Sequence, residues 1–204
     1  MQQVSVLTEE EFKILKNYFI DFDIINCFSS GKYISLIDRY PRKLTYEETK
    51  NTTLSYSKDW PHSSNFKHEY LLNEQKYLLL LKMAYEHNDK KSVYVFCKDF
   101  MHPELSWIDY LDEEDKDLAR NIISFIKDNK QEILKVSDLD ILAILTKMSL
   151  REAIYCNFFF DSTKSVLIGY YEMIFLLYCK TQNTLNEYKK MATACNLFTR
   201  LPNI

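Results

Sequence analysis

The chain has 204 residues, 47% of them hydrophobic and 27% charged, enough for one domain with a real core and too apolar for a disordered chain. Two glycines leave no GxGxxG or GxxxxGK[ST] phosphate loop, which argues against Rossmann and P-loop enzymes. The net charge of −3 is unevenly spread: residues 99–117 hold eight acids against Lys116 alone, a net −7 that leaves +4 for the remainder.

Helix starts are well marked along the chain. Thr8 and Glu11 form a capping-box pattern, in which hydroxyl and carboxylate satisfy each other's orphan amides. Phe12, Leu15, Tyr18, Phe19, Phe22 and Ile25 follow at helical spacing, and residues 29–31 close the helix. A short segment, 32–40, stops at Pro41. Thr45 and Glu48 repeat the capping box, and residues 60–64 read as a loop. The spacing of Tyr70, Leu71, Tyr77, Leu78, Leu81 and Tyr85 predicts a long helix over 66–87, with a partner helix over 93–100. A short acidic helix is expected over 104–111. Asp112 caps a longer one that carries Leu118, Ile122, Phe125 and Ile126.

Ser137 starts the next helix (Leu139, Ile141, Leu142, Leu145), and Ser149 with Glu152 gives a third capping box. The run through Val166, Tyr170, Tyr171, Ile174, Phe175 and Tyr178 is apolar on most faces and reads as the central buried helix. A last helix covers 185–196. Scarce glycine and proline also argue against an all-β chain. The expectation is an all-α fold, an irregular bundle of about eight to ten helices built from antiparallel helical hairpins. It forms a single domain over 1–204, with 1–60 as a less regular N-terminal subdomain. No fixed repeat period recurs.

The residues that carry chemistry are dispersed. His62, His68, His87 and His102 form no HExxH or HxxEH pattern, so no metal or other cofactor is expected. No serine sits in GxSxG, and no catalytic residue is assigned. Cys27, Cys97, Cys156, Cys179 and Cys195 include no CxxC pair and lie in apolar runs, as reduced, buried thiols of a cytosolic protein do. The N-terminus resembles no signal or transit peptide. The longest apolar stretch, 166–179, is interrupted by Glu172 and too short to span a bilayer. A cytoplasmic protein without a membrane partner is therefore expected. Scattered lysines and a pI near 5.9 argue against direct nucleic-acid binding.

The acidic segment remains as the functional lead. Acids in the first turn of a helix are favoured by its dipole, and consecutive ones point around the helix rather than at one ion. The segment also holds Trp107 and Tyr110, three residues apart on one helical face, and rigid aromatics among steering charges are typical of protein interfaces. The candidate partner-binding residues are Trp107, Asp109, Tyr110, Asp112, Glu113, Glu114, Asp115 and Asp117.

In size, Lys/Asn/Ile/Tyr/Phe-rich composition, lack of a catalytic motif and acidic aromatic patch, the chain resembles the small helical cytoplasmic immunity proteins of bacterial polymorphic and contact-dependent toxin systems. The resemblance is one of profile and rests on no motif. It implies stoichiometric inhibition of a cognate toxin, often a basic nuclease domain. Asp109, Asp112, Glu113, Glu114, Asp115 and Asp117 would then stand in for phosphates, with Trp107 and Tyr110 as apolar anchors. Two other readings stay open. One is a small helical hydrolase-like enzyme whose site assembles from distant groups such as His62, His68 and Glu69. The other is a helical regulatory adaptor.

Overall fold

The computed structural model describes residues 4–23, 26–50, 52–61 and 65–202. It overturns the all-α helical bundle. Among the described residues, eight strands form one antiparallel sheet: β1 (Val4–Val6), β2 (Tyr33–Asp38), β3 (Val93–Phe96), β4 (Ile133–Val136), β5 (Asn157–Phe160), β6 (Ser165–Tyr170), β7 (Ile174–Cys179) and β8 (Phe198–Arg200). Their order is β1-β4-β3-β5-β6-β7-β2-β8, so the first and last strands are the two edges. The helices are α1 (Glu9–Lys16), α2 (Tyr46–Thr49), α3 (Asn65–His87), α4 (Glu113–Asn129), α5 (Leu139–Leu150) and α6 (Gln182–Ala194). Two 3-10 segments, Lys98–Met101 and Leu105–Tyr110, lead from β3 into α4.

The sheet separates two apolar layers. On one side α3, α4, α5 and α6 close over Val93, Val95, Leu134, Phe158, Phe160, Leu167, Phe175 and Leu177. On the other, Leu15 of α1 and the rings of Phe19, Phe22 and Phe28 cover Phe96, Phe159, Val166 and Tyr178. Successive strand residues point to opposite faces, so a strand filled on both sides needs no polar alternation. All four residues of β5 are buried, and Ser165–Leu167 of β6 likewise. Gly169 has a local reason to be glycine: a Cβ there would collide with the Ser149 hydroxyl of α5.

Several sequence expectations change here. The central buried helix over 166–178 is the β6–β7 hairpin, registered Val166↔Tyr178 through Tyr170↔Ile174. The partner helix over 93–100 is β3 followed by a 3-10 turn, and 32–40 contains β2. The acidic helix over 104–111 is 3-10 rather than α. α1 ends at Lys16, after which Phe19 bridges to Phe28; Ile25 lies outside the described residues. Ser149 and Glu152 form no capping box, because α5 ends at Leu150 and Glu152 adopts a left-handed φ of 60°. The first two boxes do form: Thr8–Glu11 on α1 and Thr45–Glu48 on α2. α3, α4, α5 and α6 fall on stretches read as helical, although Asp138 rather than Ser137 caps α5 and α6 runs Gln182–Ala194 rather than 185–196.

Candidate protein-docking face

α3 has polar side chains in its buried stripe. Tyr70, Glu74 and Tyr77 are spaced four and three apart, so they share the face turned to α5 and the sheet. A carboxylate there needs a partner, since a buried unpaired charge is prohibitively costly. Arg151, the residue after α5, supplies it. Its Nε and Nη2 each donate to the Glu74 carboxylate at 2.7 Å, a bidentate pair with side chains 0% and 1% exposed.

The same guanidinium reaches the acidic segment. Arg151 Nη1 donates to the Tyr110 carbonyl at 2.6 Å, and Nη2 donates to Asp112 at 2.8 Å. The Tyr56 ring lies 4.7 Å from its central carbon and packs against Trp60 and Tyr70. Burial disfavours the charge on Arg151, but the hydrogen bonds and charges of Glu74 and Asp112 outweigh it and raise its pKa. Burial likewise works against the Asp112 carboxylate, yet the Arg151 bond and charge hold its pKa below the ordinary value. One buried cation thus joins α3, α5, the end of the 3-10 segment Leu105–Tyr110 and the cap of α4.

The sequence-assigned surface residues divide into two sets. Trp107 is 6% exposed and belongs to the main core. Asp112 is committed to Arg151, and Asp115 to Lys147 at 2.5 Å in a mostly covered pair. Tyr110 is half-buried, its ring 6.4 Å from Tyr56. Asp109, Glu113, Glu114 and Asp117 face outward; Glu113 and Asp117 side chains are 89% and 93% exposed. Lys58, Lys116 and Arg120 lie beside Asp109, Glu113 and Asp117 in exposed pairs of small energetic weight. The fold therefore adds Lys58 and Arg120 to Lys116, the one cation that the linear count of residues 99–117 included.

Two apolar side chains just before these acids in the chain are exposed as well. Leu105 is 59% exposed, and Met101, four residues earlier, is 39% exposed. Met101 also lines a surface groove of about 600 Å³ with Phe12 of α1 and Ile133 of β4. Leu105 and Met101 were not singled out from sequence, and an apolar residue at a 3-10 position gives no periodic signal. Arg151 and Glu74 were missed as well, although a carboxylate inside the Tyr70–Tyr77 stripe was the available sign.

The enzyme alternative named His62, His68 and Glu69. His68 and Glu69 are exposed near the start of α3, and His62 lies outside the described residues. Among the described residues no group of three or more His, Cys, Asp or Glu side chains could hold a metal ion, and no helix is long and apolar enough to cross a membrane. Compared with known protein families, curated proteins and solved structures, the chain matches none.

Proposed function

We propose that this chain is a protein-binding module that docks a basic protein partner through the outer side of residues 101–117. Met101 and Leu105 provide the apolar contact, and Asp109, Glu113, Glu114 and Asp117 form its acidic rim. The observation that carries this reading is the exposure of Leu105, Asp109, Glu113, Glu114 and Asp117 along one stretch of chain whose backbone Arg151 fixes from beneath. A surface held in one conformation before binding loses little entropy on association. The rim charges steer a basic partner and set the salt dependence of its on-rate.

The narrower reading, in which the partner is a toxin domain and the module its stoichiometric inhibitor, draws on the resemblance of profile. In that form the exposed acids take the place of phosphates. Trp107, Asp112 and Asp115 belong to the support beneath and not to the contact.

Affinity capture with the full chain tests the docking face. Wild type is compared with the charge reversal E113K/E114K/D117K and with a reversal of exposed lysines on α6, K189E/K190E. The expected result is a basic partner retained by wild type and by the α6 variant, and depleted at least tenfold by the triple reversal. Equal recovery on all three baits contradicts the docking face. For the toxin reading, the product of the adjacent gene is expressed with and without this chain. Growth restored by wild type and not by the triple reversal supports it, and growth inhibition unaffected by the chain refutes it.

A further inference from the structure

The β3–β5 ladder runs Tyr94↔Phe159, Val95↔Phe158 and Phe96↔Asn157. One residue further, the same register sets Cys97 opposite Cys156. Neither backbone bonds to the other: the Cys97 amide donates to Glu132 O and its carbonyl accepts from Phe100 N, while the Cys156 amide donates to Ser149 Oγ and its carbonyl accepts from Gly169 N. That is the arrangement of a non-hydrogen-bonded pair, in which Cα atoms approach to about 4.5 Å. Disulfides span Cα separations from about 4.4 Å upward. Both thiols point to the helix side of the sheet, both are fully buried in the same core cluster, and both are free.

We propose that Cys97 and Cys156 form a redox-sensitive dithiol, which hydrogen peroxide closes into a disulfide that staples the 3-10 turn Lys98–Met101 to β5. Two features fit a guarded switch rather than an exposed reactive thiol. The Cys97 Sγ donates to Asp99 Oδ2 at 3.7 Å, and burial together with the neighbouring Cys97 thiol keeps Cys156 protonated. Both cysteines sit just past the last pair of the β3–β5 ladder, and the end of that ladder must open locally to admit peroxide. On opening, one thiolate attacks the peroxide and breaks its O–O bond, giving a sulfenic acid and water. The second thiol then displaces the sulfenic oxygen as a second water. Two thiols give up two electrons and two protons as one peroxide is reduced.

Cys97 caps the 3-10 turn that leads into residues 101–117, so the crosslink would stiffen the base of that segment. This inference is independent of the docking reading. Its test treats the native full chain with hydrogen peroxide, alkylates the remaining thiols and maps peptides without reduction. The expected product is a Cys97–Cys156 linked peptide, with two of five thiols lost to alkylation. The melting temperature should rise by about 10 °C and return on adding dithiothreitol. Cys97→Ser and Cys156→Ala should each abolish the link and the shift, while Cys195→Ser keeps both. Five free thiols after treatment, single-cysteine sulfinic acids, or a link between the neighbouring Cys27 and Cys179 instead would overturn the proposal.

Discussion

The inner and outer sides of residues 99–117 carry the same residue types and do opposite things. Inside, Asp112 and Asp115 meet Arg151 and Lys147, and Trp107 fills the core beneath them. Outside, Asp109, Glu113, Glu114 and Asp117 stand in solvent, as does Leu105. Burial, not composition, assigns the role. A covered charge must be paired and so fixes structure, whereas an exposed one contributes little to folding and is available to a partner.

That contrast is broken most severely at Arg151. Arg151→Met leaves Glu74 buried without a cation and should cost about 3–5 kcal/mol in denaturant unfolding. Adding Glu74→Leu should restore much of the loss, because a buried ion pair is replaced by apolar packing. No recovery in the double variant would show that the network acts through more than charge balance. Trp107→Ala comes next, at about 3 kcal/mol for truncating a large buried ring. A loss below about 1 kcal/mol would return Trp107 to the candidate surface.

Acid should weaken the inner side selectively. The folded pKa of Asp112 is depressed, so its contribution is fully present above the ordinary carboxylate value of about 3.9 and is lost as pH falls through the lower, folded value. Stability measured from pH 5 to pH 2 should therefore fall less steeply in Asp112→Asn than in wild type. An identical slope would mean that the Arg151 pair does not favour the charged form. The outer side should be the least sensitive of all. E113K/E114K/D117K is expected to change unfolding by about 0.5 kcal/mol or less. A larger loss would place those acids in the support.

The same distinction explains how much of the molecule was legible in sequence. Helices announce themselves through caps and the 3.6-residue period, and Thr8–Glu11, Thr45–Glu48 and the long stripe of α3 all do so. The strands do not. NFFF, SVLIGY and IFLLYC lie centrally in the sheet with apolar layers on both faces, so they read as unbroken apolar runs that periodicity cannot separate from a buried helix. Glycine scarcity misled for a related reason. Asp89, Lys90, Lys130, Glu152, Lys164, Glu172, Met173 and Asn196 take the left-handed backbone conformations that glycine would have signalled. Of the candidate surface, the charges were visible. Which of them face inward depends on Arg151 and Lys147, both distant in sequence from all of them.

Amide hydrogen exchange on the module alone and bound to its captured partner locates the contact directly. The expected result is new protection concentrated over residues 98–117, including the 3-10 segment that carries Leu105, with α6 unchanged. Protection confined to another surface, such as the β8 edge or the turn between β6 and β7, would contradict docking through the acidic face.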